Sequence, residues 1–300
     1  MTESFGQLVW RRFKKHRLAL GSAFILAILV LLALAAGLIQ SFLGVSHDMA
    51  SLELVNRPAG WPYLLGTNEL GQDVFTRLLF GGRISLAVGI IAAITSAIIG
   101  SIIGLLAGYF GGWLDTCLMR FTDAMLSIPV LPLMIVFSAI DLEIMFGPSS
   151  LTSGNFSSVV KLIIIIVFFG WMTVARLARA AALQLKNLEF VTAARSLGAG
   201  NLRILLVHIF PNALAPIIVA ATLEVGENIL YEAALSFLGL GVQPPVSSWG
   251  NMLNNAVDYI KTDPSLAFWP GFFILLTVSC FNFFGDGLRD ALDPHQVMKH

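Results

Sequence analysis

Charged residues are scarce in this chain. Asp, Glu, Lys and Arg make up 12% of its 300 residues, whereas a soluble domain carries about 25%. Hydrophobic residues reach 57% of the chain. So little polar surface cannot cover the chain in water, and we expect lipid to be the solvent for much of it. The net charge of zero gives no sign of a nucleic-acid partner.

The groups that carry common catalytic chemistry are also missing. The sequence contains no Gly-Lys pair and therefore no P-loop, and it lacks the His-Glu-x-x-His and Gly-x-Ser-x-Gly patterns. Its five histidines have no companion ligands at metal-like spacing. Two cysteines, Cys117 and Cys280, lie in or beside apolar stretches, which favours packing over a disulfide. We therefore predict neither a catalytic nor a metal site on this chain.

Long apolar runs are what the sequence has instead. Six runs approach the roughly 20 residues that cross a bilayer, at 18–39, 84–108, 124–146, 159–175, 211–235 and 268–284. They predict an all-α membrane protein with six transmembrane helices. The intervening parts are an N-terminal segment 1–17, a loop 40–83, a five-helix core 84–285 and a tail 286–300. Most of the 18 lysines and arginines fall on the side of segment 1–17, which predicts that both termini are cytoplasmic and loop 40–83 extracytoplasmic.

The cytoplasmic loop 186–211 is longer and more patterned than a connector requires. Asn187 is a candidate N-cap, with Glu189 in the first turn where the helix dipole favours an anion. Gly198 and Gly200 are placed to end this helix with positive φ. The loop therefore predicts a short helix followed by a glycine turn.

A second helix should follow the turn. Asn201 is placed to cap it, and Pro211 to open the next span at its first helical position. The small side chains of Ala193 and Ala194 would let the backbone of another protein approach closely. A mechanical docking element and an interfacial amphipathic connector both fit this pattern.

The fifth apolar run carries a polar stripe. Glu224, Glu227, Asn228 and Tyr231 recur at i, i+3, i+4 and i+7, which places them on one side of a helix. Because ionisable groups that face lipid are costly, the stripe should face an aqueous path, where it would offer carboxylates to a cationic substrate group. Pairing across a subunit interface, or a water-exposed helix end, would explain it as well.

Loop 186–211 resembles the EAA loop of ABC-importer permeases. The matching residues are Glu189, the pair Ala193 and Ala194, Gly198 and Pro211, with the glutamate three residues further upstream than in the common pattern. Segments throughout the chain resemble the C-type permease subunit of the dipeptide, oligopeptide and nickel importers, namely 65–73, 81–86, 108–112, 235–241 and 285–294. The resemblance implies a type I ABC-importer permease with a cytoplasmic coupling-helix loop.

The resemblance also implies partners. A second related permease subunit, two cytoplasmic ATPases that bind ATP and Mg²⁺, and an extracytoplasmic binding protein would complete the importer. Loop 186–211 would dock on an ATPase, and di- or oligopeptides would be the substrates. Nickel chelates or glutathione are alternative cargo. A self-contained secondary transporter using Glu224 and Glu227, and a structural subunit without a pore, are the rival classes.

Overall fold

The computed structural model describes residues 5–140 and 157–292, and this part of the chain is helical apart from its connections. A 3₁₀ turn, Leu52–Leu54, lies in the first long loop. In chain order the helices are α1 Phe5–Lys15, α2 Arg17–Leu43, α3 Val74–Phe110, α4 Gly112–Leu126, α5 Val130–Ala139, α6 Ser157–Leu185, α7 Glu189–Ser196, α8 Asn201–Phe237, α9 Trp249–Ala256 and α10 Ser265–Leu292.

Five of these helices are long and apolar enough to cross a membrane: α2, α3, α6, α8 and α10. The count becomes six if the bent pair α4 and α5 is one span. The predicted all-α architecture is confirmed. Five of the six predicted runs fall inside these five helices.

The third predicted run, 124–146, does not form a straight helix. Ala124 lies in α4, and the chain then bends by 84° before α5. Pro129 explains the break, because it has no N–H to donate and disfavours helical geometry at Ile128. The second half of the predicted run extends beyond residue 140, outside the described residues.

The predicted loop 40–83 is too long at both ends. Helix α2 continues to Leu43, where Gly44 caps it with φ +67°. Helix α3 begins at Val74, because the Asp73 carboxylate accepts a hydrogen bond from the Thr76 N–H at 2.7 Å. The loop between helices is therefore 44–73. Arg77 and Arg83, which the predicted loop included, lie within α3 instead.

Both arginines near the start of α3 have partners inside the fold. Arg77 is 7% exposed and donates to the Gln72 side chain. Arg83 donates to the main-chain carbonyls of Ala33 and Leu34 on α2, at 3.2 and 3.1 Å. Backbone and amide oxygens thus accept hydrogen bonds from the two guanidinium groups, which the predicted loop would have placed in solvent.

Helix α3 is the centre of the bundle and makes its most extensive contact with α6. Gly100, Gly104 and Gly108 recur every four residues along the contact, and a Cβ at each would overlap the α6 backbone at Trp171, Ala175 and Arg179. Small residues at this spacing allow two membrane helices to approach closely. These three glycines thus lie at the α3–α6 contact.

Helix α8 differs from the prediction at its start. Asn201 is its first residue rather than its cap, and a π-helical segment Ile204–Ile209 continues directly into Phe210 and Pro211. Pro211 therefore lies within a continuous helix and does not open it. The wider π turn accommodates a ring that has no N–H for the preceding turn.

Candidate coupling surface and transport groove

Helix α7 lies on the outside of the molecule. Val191 is its only side chain described as buried, at 0% exposure, and it packs into a cluster with Leu205 and Ile209 of α8. Leu197, just after the helix, is 89% exposed. Glu189 is also exposed. One buried valine thus fixes α7 to the bundle while the rest of its surface is presented outward.

The predicted ends of α7 are partly wrong. Leu188, not Asn187, occupies the N-cap position. Gly198 has φ +84°, as predicted, and the Ala199 N–H donates back to the Ala194 carbonyl in the pattern of a Schellman turn. Gly200 has φ −69° and needs no glycine-specific conformation. A single left-handed glycine is therefore enough to reverse the chain.

The base of this surface is tied to neighbouring helices. The Tyr109 hydroxyl of α3 donates to the Asn201 side chain at 2.8 Å, and the Lys186 ammonium donates to the Gly108 carbonyl at 2.8 Å. Arg179 of α6 forms a two-pronged ion pair with Asp115 of α4, at 2.5 and 2.7 Å. These contacts connect α3, α4 and α6 to one another and to the residues that flank α7.

The predicted polar stripe on α8 is divided by burial. Glu224 is 8% exposed and Asn228 1% exposed. Glu227 is exposed and Tyr231 is half-buried. Side chains at three- and four-residue spacing cover a broad arc of the helix surface. Here part of that arc is buried and part is exposed. The structure therefore separates an inward pair of side chains from an outward carboxylate.

The Glu224 carboxylate points at the α3–α6 contact. A Cβ on Gly170 of α6 would come within 2.6 Å of both the Glu224 Oε1 and the Ser96 Oγ of α3. In the part of the chain that the structure describes, neither Glu224 oxygen has a well-aligned hydrogen-bond donor. The absence of a side chain at Gly170 thus makes room for the Glu224 carboxylate.

A second buried acid, Glu232, was not singled out from the sequence. It is 0% exposed and accepts hydrogen bonds from the Ser85 and Ser236 hydroxyls at 2.7 and 2.8 Å. The Ser85 oxygen in turn accepts from the Trp249 N–H at 3.2 Å. This network joins α3, α8 and α9 at the end of α8 remote from α7. The Glu232–Ser236 spacing of four was visible in the sequence, but the partner on α3 was not.

A cavity of about 280 Å³ lies near the same end, lined by His47, Phe80, Arg83 and the segment around Val246. The His47 ring stacks on Phe80 with centroids 3.7 Å apart. Burial lowers the pKa of His47 from its ordinary value, the nearby Asp48 acts in the opposite sense, and arginines reinforce the lowering. His47 is therefore a neutral, partly covered imidazole near neutral pH.

No group of three or more His, Cys, Asp or Glu side chains is placed to hold a metal ion within residues 5–140 and 157–292. Cys117 is exposed and Cys280 buried, and neither forms a disulfide. The polar groups described above thus offer charge and hydrogen bonds. The exposed side of α7 offers a surface to another protein.

The fold resembles the MetNI methionine ABC transporter in an inward-facing conformation, with a TM-score of 0.56 and 19% identity over 73% of this chain and 97% of that chain. The profile of the "binding-protein-dependent transport system inner membrane component" family matches residues 100–297, and that of the "N-terminal TM domain of oligopeptide transport permease C" matches residues 4–50.

Curated relatives agree along nearly the whole length. The dipeptide transport system permease protein DppC of Bacillus subtilis is 40% identical over 97% of this chain and 86% of its own length. The glutathione transport system permease protein GsiD of Shigella flexneri is 40% identical over 95% of this chain and 89% of its own. The chain belongs to the family of binding-protein-dependent transport permeases, the membrane components of ABC importers.

Proposed function

We propose that this chain forms half of the translocation path of an ABC peptide importer and couples ATP hydrolysis on a partner ATPase to substrate passage. The observation that carries the proposal is the α7 surface, which is held by Val191 and otherwise exposed. An exposed apolar side chain such as Leu197, directly after this helix, is suited to bind in a cleft of another protein. Catalysis and the ATP–Mg²⁺ site would belong to that partner.

We arrange the subunits of the proposed importer around this α7 surface. α7 and both termini would face the cytoplasm, where two ATPases bind. A second, related permease subunit would supply the other half of the path. A binding protein would deliver substrate to the opposite end, where loop 44–73 and the His47 cavity lie.

Peptides are the proposed substrate class. DppC and GsiD are named for dipeptide and glutathione transport, and both substrates are peptides with free amino and carboxylate groups. Nickel chelates are the alternative cargo. The secondary-transporter alternative requires uptake without ATP.

Substitution of Leu197 by Glu tests the coupling surface. The variant should bind the ATPase at least about tenfold more weakly, because it places a charge in an apolar contact. It should fold normally, since Leu197 is 89% exposed in the chain itself. Co-purification and ATPase stimulation in proteoliposomes measure the effect.

Leu52→Glu is the matched control. Leu52 is 94% exposed and lies in the loop at the other end of the bundle, so this variant should retain ATPase binding. Full ATPase binding by Leu197→Glu, or uptake by the wild-type chain without ATP, would refute the proposal.

A further inference from the structure

A groove with polar groups at its two ends lies between α6, α8 and α10. Its deeper part is a cavity of about 450 Å³, and Leu177, Pro216 and Ala220 belong to its walls. Seven of its eight lining side chains are apolar, and the eighth is Arg289. Arg289 is exposed and lies in the last turn of α10. The groove therefore presents one guanidinium at its end nearer to α7.

Helical spacing extends this groove to Glu227. Pro216, Ala220, Leu223 and Glu227 are separated by 4, 3 and 4 residues, so they share one face of α8. Pro216, Ala220 and Leu223 line the cavity, and Glu227 is exposed further along the same face. The groove therefore ends in a carboxylate.

Helix α10 supplies the facing wall. Asn282 lies seven residues before Arg289 and so on the same face of α10. Its side-chain oxygen is 3.5 Å from the position of a Cβ on Gly226, beside Glu227. An amide thus stands near the carboxylate end.

The two charges are available to a ligand. Neither Glu227 nor Arg289 has a hydrogen bond or ion pair with another residue in the described ranges. Eleven residues separate Pro216 from Glu227, which is about 16 Å along a helix axis. An exposed carboxylate deep in a span is unfavourable against lipid, so the face that carries Glu227 requires water or a polar ligand.

We propose that this groove is the inner part of the substrate path and binds a zwitterionic peptide, with Glu227 taking the ammonium group and Arg289 the carboxylate. The proposal rests on the proposed function and adds to it a substrate site. A dipeptide or tripeptide extends about 7–10 Å, less than the roughly 16 Å of α8 between Pro216 and Glu227. A short substrate therefore does not span the groove and meets its charged ends in succession, Glu227 first and Arg289 on exit.

Thiol labelling tests whether the groove contains water and carries this charge. The experiment uses the reconstituted complex with Cys117 and Cys280 replaced by Ser and Ala, and Ala220→Cys as the reporter. Ala220→Cys should react with both an anionic and a cationic methanethiosulfonate. Arg289→Gln should lower the ratio of anionic to cationic labelling rates at least about threefold, because the guanidinium attracts the anion. Millimolar Ala-Ala should slow labelling.

Ile218→Cys is the control, because Ile218 lies two residues from Ala220 on the opposite, apolar side of α8. It should react with neither charged reagent. If Ala220→Cys reacts only with a membrane-permeant neutral maleimide, the groove contains lipid and the proposal is overturned. An unchanged rate ratio in Arg289→Gln overturns it as well.

Transport separates this proposal from the proposed function. With one binding protein throughout, Arg289→Gln should reduce uptake of Ala-Ala-Ala several-fold, and Arg289→Lys should restore part of it. ATPase binding and basal hydrolysis should stay normal in both variants. Normal uptake by Arg289→Gln would refute the substrate site and leave the coupling role intact, whereas loss of ATPase binding by the wild-type chain would refute the coupling role itself.

Discussion

The Glu232 network provides the sharpest stability prediction. Glu232 is fully buried, and each of its oxygens accepts a hydrogen bond from a serine, one on α3 and one on α8. The same serines hold the main-chain N–H groups of Trp249 and Val242. Glu232→Ala removes the acceptor that both serines share, so it should weaken the contacts among α3, α8 and α9.

The magnitude follows from those bonds. A buried group left without a partner costs about 1–3 kcal/mol, although hydrogen bonds between membrane helices average only about 0.6 kcal/mol. Two orphaned hydroxyls and the space left by the side chain together predict a loss of about 2–4 kcal/mol. For a chain of this size we expect the apparent melting temperature to fall by about 5–10 °C.

Glu232→Gln should retain most of the stability, since its amide oxygen accepts from one serine while its NH₂ donates to the other. The assay is thermal denaturation in detergent, followed by loss of the monodisperse peak in size-exclusion chromatography. Glu227→Ala is the matched control, because Glu227 is exposed on the same helix. If Glu232→Ala and Glu227→Ala melt at the same temperature, the network does not contribute to stability.

Two further perturbations have definite outcomes. Gly104→Ala should destabilise the chain by about 1–3 kcal/mol through overlap with the α6 backbone, whereas Gly37→Ala, which meets no atom within 4 Å, should be neutral or slightly stabilising in the same melting assay; equal effects would contradict the close α3–α6 packing. Because burial lowers the pKa of His47, the folded chain binds fewer protons than the unfolded chain, so stability should fall as pH drops below about 6.5. His47→Gln should flatten that fall in melting temperature between pH 7 and 5, and an unchanged slope would exclude His47 as its source.

The sequence predicted those parts of the fold that depend on local composition. Apolar length located the five long helices. Predictions from the sequence were wrong where a single residue, and not the average hydropathy of a run, decides where a helix begins or ends. Asp73 begins α3 ten residues before the predicted span, and Pro129 breaks a run of high hydropathy. The predicted loop included Arg77 and Arg83, but both lie in α3, where the Gln72 side chain and the Ala33 carbonyl accept their hydrogen bonds.

The candidate sites also contain features that local sequence predicts and features that depend on tertiary packing. The short helix α7 and its end at Gly198 were predicted because the turn pattern is local, although the cap was assigned to Asn187 instead of Leu188. Burial along α8 was not, since which part of a polar arc faces inward depends on α3 and α6. Helical periodicity places Glu224 and Glu227 within one arc, and only tertiary packing buries the first and exposes the second. Arg289 gave no sequence signal, because its groove is formed by helices far apart in the chain.

Helix α8 connects all of these features in one element. It runs for 37 residues, about 55 Å, from the base of α7 past the Arg289 groove and Glu227 to the Glu232 network. Its regular hydrogen bonding is interrupted in its first half, by the π segment Ile204–Ile209 and by Pro211 and Pro216. Bending is therefore expected in that half, whereas the part carrying Glu227 and Glu232 should move as a rigid unit. A displacement imposed on α7 would then turn this rigid part about the bend, so that Glu227 and the Glu232 network move together.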